Sequence, residues 1–225
     1  MKLKTDTRIE LKDVFRIRDK TYIEKKLILS GYGFHQPYPP RRINSLYFDT
    51  SDFVNMSDSI EGCSKRTKKR LRWYGNDANQ YESNLEFKSK QGHFSWKKIF
   101  PKFCNIYPSA SKWNDFFDKG KWESLQSIGP SFPSSIVSYS RTYYESVNKK
   151  IRITLDQDIV YFDQYLNSGP NFLNNYQDSS KLVVEIKVNS QDQKLINEVK
   201  HFIPFCSRRF SKYCQSMSSH NLHSI

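Results

Sequence analysis

Glycine is scarce in this chain, with 8 among 225 residues. They form neither a GxGxxG fingerprint nor a Walker A loop, so phosphate binding by a glycine-rich loop is excluded. Cysteine is scarcer: Cys63, Cys104, Cys206 and Cys214 make no CxxC pair and no zinc-like spacing. That usage suits a reduced, intracellular protein. No apolar run approaches the roughly 18 residues of a membrane span. No apolar segment follows Met1-Lys2-Leu3-Lys4 as a secretory signal would. The expectation is a soluble cytoplasmic protein. Acidic residues are in the minority, 23 against 36 Lys and Arg, for a net charge of +13. An excess of that size points to a polyanionic partner.

Aromatic residues are abundant, at 15%. With many short alternating runs they favour β structure. In Arg66–Tyr74, a period of two places Arg66, Lys68, Arg70 and Arg72 on one face. Leu71 and Trp73 fall on the other, with Thr67 and Lys69. Similar alternation predicts strands over 7–15, 43–49, 81–90, 94–100, 136–147, 150–162 and 182–188. Helices are expected over 19–30, from a Thr50/Ser51 cap to Ile60, over a less regular 109–126, over 190–202 and briefly near Cys214. Residues 167–180 read as a polar loop. There is no repeat and no long linker, so residues 1–225 form one α+β domain on an antiparallel sheet, with 218–225 as a frayed tail.

The charged face recurs from strand to strand. Its basic members are Arg8, Lys12, Arg66, Lys68, Arg70, Arg72, Lys88, Lys90, Lys97, Arg141, Arg152 and Lys187. Its acidic members are Glu10, Glu86, Asp156 and Glu185. A sheet with apolar residues outward and charges inward, once closed, is a cation-lined tunnel. Cations set this close repel by about 1 kcal/mol per pair even at water-like screening. Triphosphate or polyphosphate oxygens offset that repulsion, with bidentate Arg contacts and point-charge Lys contacts. The inward carboxylates are then natural ligands for Mg²⁺ or Mn²⁺ held against phosphates. For Glu10 and Glu86, ion pairing is an equal alternative.

These motifs resemble the VTC-domain polyphosphate polymerases of the triphosphate tunnel (CYTH-like) superfamily. The match is carried by Arg8-x-Glu10-x-Lys12, Ser45-Leu46-Tyr47-Phe48-Asp49-Thr50 and Gly62-x3-Arg66-x-Lys68-x-Arg70-x-Arg72-x-Tyr74. It continues through Leu85-Glu86-x-Lys88, Ser138-Tyr139-x-Arg141, Arg152-x-Thr154-x-Asp156, Val184-Glu185-x-Lys187 and Phe210-Ser211-Lys212-Tyr213. The resemblance implies an eight-stranded closed antiparallel tunnel with helices outside. It implies Mn²⁺- or Mg²⁺-assisted transfer of the ATP γ-phosphate onto a growing polyphosphate chain. On matching residues, Lys12, Arg70, Arg72, Lys88, Lys97, Arg141 and Arg152 would hold phosphates, Glu185 the metal, and Lys212 would close over the tunnel mouth. Lys97 matches loosely, because the family's second basic residue two positions on is Ile99 here.

Arg66, Lys68 and Lys187 share the phosphate-facing side, and Tyr139 is placed to orient a phosphate. Other residues read as structural. Asp49 is a helix cap and Asp156 an orienter of a neighbouring cation. Lys65, Lys69 and Lys98 read as solvated surface, His93 as a turn residue, and Trp73, Trp96, Trp113 and Trp122 as core. The rival readings are triphosphate or nucleoside triphosphate hydrolysis in the same tunnel, and polyanion or nucleic-acid binding without catalysis. No nucleic-acid partner is expected.

Overall fold

The computed structural model describes residues 8–76, 80–92, 94–130, 132–173 and 175–221. The turn expected at Gly75-Asn76-Asp77 falls partly outside them, as do His93 and the end of the tail at 222–225.

Among the described residues nine strands form a single antiparallel sheet. β1 is Arg8–Arg16, β2 Arg41–Asp49, β3 Lys65–Tyr74, β4 Tyr81–Gln91 and β5 Phe94–Ile106. β6 is Phe132–Glu145, β7 Ile151–Asp163, β8 Asn175–Asp178 and β9 Lys181–Asn189. Their spatial order is β1-β9-β7-β6-β2-β3-β4-β5, with the short β8 added beside β7. Two expectations are thereby corrected. The count is nine, because β8 forms inside the segment read as a polar loop. The sheet is also not closed: among the described residues no hydrogen-bonded ladder joins β1 to β5. It does curl strongly, since Lys88 on β4 reaches Glu10 on β1 at 3.2 Å.

Two apolar clusters lie on the convex side, as the alternation requires. Ile23 and Leu27 of α1 (Lys20–Leu29) and Ile196 and Val199 of α5 (Lys194–Phe202) cover Ile153, Leu155, Val184 and Ile186. Trp113 and Phe116 of α3 (Trp113–Phe116) and Leu125 of α4 (Lys121–Gln126) cover Leu46, Leu71, Trp73, Leu85 and Ile136. Each such side chain contributes roughly 1.5–3 kcal/mol on burial. Trp73, Trp113 and Trp122 join this cluster as expected; Trp96 does not.

The third cluster lies on the concave side and was not expected. Ile43, Tyr47, Val137, Tyr139, Ile159, Tyr161 and Val183 pack against Tyr213 and Met217 of α6 (Lys212–Asn221). The concave wall is therefore divided, with charge along one part and an apolar part filled by a helix. α6 extends well past Cys214 and takes in residues 218–221 of the expected tail. Opposite it, α2 (Val54–Glu61) is capped by Asp49 and Thr50: Asp49 accepts the Asn55 and Met56 amides at 2.9 and 3.0 Å, and Thr50 Oγ1 accepts Val54 N–H at 2.9 Å. Tyr213 donates its hydroxyl to Asp49, which ties α6 to that cap. Gly62 ends α2 at φ +80°, a left-handed position that favours glycine. Among the described residues no helix is long and apolar enough to cross a membrane.

Candidate functional site

Four carboxylates organise the charged wall. Glu86 on β4 accepts Arg70 Nε and Nη2 at 2.7 and 2.6 Å, with Lys97 Nζ at 2.9 Å and Arg72 at 3.8 Å. Asp156 on β7 accepts Arg141 Nε and Nη2 at 2.5 and 2.7 Å and Lys212 Nζ at 2.5 Å. Glu185 on β9 meets Lys187 at 2.6 Å, Lys12 at 3.8 Å and Arg141 at 4.0 Å. Glu10 on β1 meets Lys12 at 2.7 Å, Lys88 at 3.2 Å and Lys187 at 3.8 Å. The ladders explain the grouping. Arg70 lies opposite Glu86 across β3–β4, Arg141 opposite Asp156 across β6–β7, and Lys12 opposite Glu185 across β1–β9. Period-two alternation then points each pair to the same side.

Eight cations thus share four carboxylates, and the charge states follow. Burial opposes ionisation of Glu86, yet Arg70, Arg72 and Lys97 outweigh it and hold its carboxyl at about 2. Burial and Glu185 also oppose ionisation of Glu10, but Lys12, Lys88 and Lys187 bring it to about 2. Asp156 and Glu185 are lowered by their cationic neighbours in the same way, against burial. Burial draws Lys97 down to about 8; Glu86 resists that, while Arg70 and Arg72 add to it. The buried Tyr47 phenol is lowered, because Arg70, Arg72 and Lys212 outweigh desolvation.

The expected site residues separate into three groups. Lys12, Arg70, Arg72, Lys88, Lys97, Arg141, Lys187 and Lys212 come together on the concave wall with Tyr139, whose ring lies under Lys212 Nζ at 4.5 Å. Lys68 sits beside the start of α6 instead, and Arg66 beside the connection from α2 to β3. Arg66 donates to Cys63 O at 2.7 Å and Lys68 to Ser211 Oγ at 2.9 Å. Arg152 stands at the far end of β7, 54% exposed, paired with Glu145 at 2.8 Å. Glu185 pairs with Lys187, Lys12 and Arg141. Asp156 orients Arg141 and Lys212, as its position suggested.

Lys69 reverses its expectation. It is 2% exposed, not solvated, and donates to Leu125 O at 2.5 Å and Ile128 O at 3.4 Å where α4 ends. Burial lowers its ammonium to about 8.

The three proposed metal ligands are not brought together. Among the described residues no three His, Cys, Asp or Glu side chains are placed to hold a metal ion. Glu86 is engaged by Arg70 and Lys97, while Glu10 and Glu185 form a pair that shares Lys12 and Lys187. Two ionised carboxylates with phosphate oxygens completing the shell are a donor set that suits Mg²⁺ or Mn²⁺, so Glu10 and Glu185 are the pair that would hold a divalent ion, in place of their contacts to Lys12, Lys88 and Lys187.

Tyr47 and Arg41 escaped the sequence reading. Tyr47 accepts Arg70 Nη1 at 3.2 Å and stacks on Tyr213 at 5.0 Å. It was hidden in the apolar run Leu46-Tyr47-Phe48. Arg41 follows two prolines and precedes the apolar residues that marked β2, yet it pairs across the ladder with Arg141. Strand alternation extended back from Ile43 would have placed it on the same face.

A family model described as the VTC domain matches residues 12–221. No curated protein sequence matches the chain. Among solved structures, an X-ray structure of a candidate adenylate cyclase from Vibrio parahaemolyticus aligns with a TM-score of 0.52 at 11% identity, covering 96% of this chain and 99% of that one. The likeness is one of fold. An acyl-CoA hydrolase from Agrobacterium tumefaciens aligns over 82% of this chain and 96% of its own at 9% identity, with a TM-score of 0.19.

Proposed function

Since this chain belongs to the VTC domain family, we propose that it is a polyphosphate polymerase, transferring the γ-phosphate of ATP onto a terminal phosphate of an inorganic polyphosphate chain. The carrying observation is the concave wall on which eight cations share four carboxylates. That surplus is matched to a dense polyanion. Arg70, Arg72 and Lys97 would hold the transferred group, with Arg141 and Lys212 on the opposite flank. Lys12, Lys88 and Lys187 would hold the remaining phosphates, and Tyr139 would position Lys212 through its ring. Arg66, Lys68 and Arg152 would guide the chain at the two ends of the wall.

Phosphoryl transfer asks little covalent chemistry of the protein. The Pγ–O bond to the ADP leaving group breaks, and a bond forms to an oxygen of the acceptor phosphate. Guanidinium donors aimed at the equatorial oxygens stabilise the charge that spreads onto them. A divalent ion held by Glu10 and Glu185 would neutralise phosphate charge. The acceptor is already anionic, so it needs no general base. This agrees with the wall: Glu10 and Glu86 at about 2 are far too weak as bases near neutrality.

Hydrolysis of triphosphate or a nucleoside triphosphate is the second reading. It is favoured by α6, which fills the concave side around Tyr47, Val137 and Tyr161 and narrows the way out for a long product. Binding of nucleic acid without catalysis requires exposed cations, whereas Arg72 is 8% exposed and the Arg70 and Arg141 side chains are only 21% and 11% exposed. Incubation with ATP and Mn²⁺, with products resolved on a gel, tests the proposal. A polyphosphate ladder is expected; ADP and orthophosphate alone would overturn it in favour of hydrolysis.

A further inference from the structure

Arg41 differs from the cations above in what holds it. Among the described residues it meets no carboxylate. Instead its guanidinium carbon lies 4.5 Å from the ring centre of Tyr38, 5.3 Å from that of Tyr143 and 5.9 Å from that of Tyr74. Tyr38 and Tyr143 meet edge to face at 5.8 Å and 82°. Tyr143 also borders Arg141, whose guanidinium carbon is 5.9 Å from its ring centre. Arg41 and Arg141 are direct partners in the β2–β6 ladder. The cluster therefore continues the cation track one step beyond Arg141. It does so at the start of β2, at the border of the apolar part that α6 fills, against which Tyr143 packs.

The chemistry changes along that step. Tyr38 and Tyr74 keep 53% and 39% of their surface in solvent. Ring faces carry negative charge density, which attracts a guanidinium and repels phosphate oxygens. A bare phosphate chain thus gains nothing from these rings. A flat heterocycle gains stacking area, and the free guanidinium edge is available to a ribose oxygen or the phosphate next to it.

We propose that Tyr38, Arg41 and Tyr74 form the nucleoside end of the site, which selects a nucleoside triphosphate over inorganic triphosphate by stacking its base at the rim while the phosphates run inward past Arg141. This rests on the phosphate-binding reading of the wall and adds the direction in which the nucleotide lies. Stacking on ring faces does not read the donors and acceptors of a base, so ATP and GTP should both be accepted.

The test measures binding of the imido analogue of ATP and of tripolyphosphate to the full chain, by calorimetry with Mn²⁺, for wild type, Tyr38→Ala, Tyr74→Ala and Tyr38→Trp. Each alanine variant is expected to weaken the nucleotide analogue about tenfold, within what stacking of one base contributes. Tripolyphosphate should bind all four proteins within about twofold, the same stacking argument setting no part of its affinity. Tyr38→Trp should retain the analogue's affinity. Unchanged analogue binding in both alanine variants overturns the proposal. So does an equal loss of both ligands, which would mean that the rings only support Arg141. Failure of the wild type to bind tripolyphosphate would instead sink the phosphate-wall reading, a separate result.

Discussion

Arg141 and Asp156 face each other across the β6–β7 ladder in a two-pronged pair at 2.5 and 2.7 Å, and Lys212 brings a third charge to the same carboxylate at 2.5 Å. Asp156 has no solvent exposure. One buried acid therefore fixes two cations, one on a strand and one at the first turn of α6.

Asp156→Asn should consequently cost both stability and turnover. Breaking a buried ion pair by removing one partner costs about 3–5 kcal/mol, which for a chain of this size lowers Tm by roughly 2–4 °C per kcal/mol. Tripolyphosphate should restore more Tm to this variant than to wild type, because the two cations left without Asp156 gain the most from an added anion. Thermal melts with and without ligand check it; an equal ligand shift in both proteins would refute the assignment of Arg141 and Lys212 to the phosphate wall.

Arg70→Ala should reduce turnover by about 100- to 1000-fold, the usual effect of deleting one donor to developing charge. Relief of like-charge repulsion does not make the variant more stable, because Arg70 is bonded to Glu86 and Tyr47. Lys97 and Arg72 remain on Glu86, so the fold should persist with a modestly lower Tm. Steady-state kinetics beside circular dichroism decide it, and near-normal kcat would remove Arg70 from the chemistry.

How far the sequence carried this picture depends on what each face packs against. Arg66–Tyr74 announced β3 because its two faces differ in kind, and the same contrast located β1, β4 and β9. Ile43, Tyr47 and Val137 did not announce their concave position, since α6 covers that part of the wall and makes both faces apolar there. Lys69 was misread for a related reason. Its outward face was right, but the carbonyls at the end of α4, far away in sequence, complete its surroundings. β5 runs on through Pro101 to Ile106, where a register shift in its pairing with β4 accommodates the break. The strand cations of the wall were legible from alternation and Lys212 only through the family resemblance; which carboxylate each would reach was not, because that depends on strand order.

Acid should destabilise the protein in a defined window. Glu10 and Glu86 fall from an ordinary 4.5 to about 2 in the fold. A depressed acid contributes stability above its unfolded value, and that contribution is lost as pH falls through the folded one. Tm should therefore decline between pH 4.5 and about 2. Glu86→Gln should begin with a lower Tm and decline less steeply. Parallel profiles would show that Glu86 is not held as described.

Lys97 is expected to set an alkaline limit on substrate affinity. With its ammonium at about 8 in the unliganded protein, it loses its charge above that pH, and phosphate contact moves the transition upward in the complex. KM for ATP should rise above about pH 8 with kcat less affected. Lys97→Arg should carry the low-KM range to higher pH, because guanidinium stays charged there. A wild-type KM that is flat to pH 9.5 would argue against Lys97 as a phosphate contact.

Lys69 offers a test that is independent of the active wall. Below pH 8 it is charged in both folded and unfolded chains, so the full cost of burying the charge is felt. Between about 8 and the ordinary 10.5 the folded chain releases the proton while the unfolded chain keeps it. The unfolded state then binds more protons, and stability rises with pH. Lys69→Met preserves length and apolar contact but cannot titrate. Lys97 titrates in the same window and remains in both proteins, so the informative quantity is the difference in Tm between wild type and Lys69→Met. That difference should move in favour of wild type from pH 7 to pH 10. A constant difference would mean that Lys69 stays charged throughout, with the carbonyls of Leu125 and Ile128 compensating fully for the loss of water.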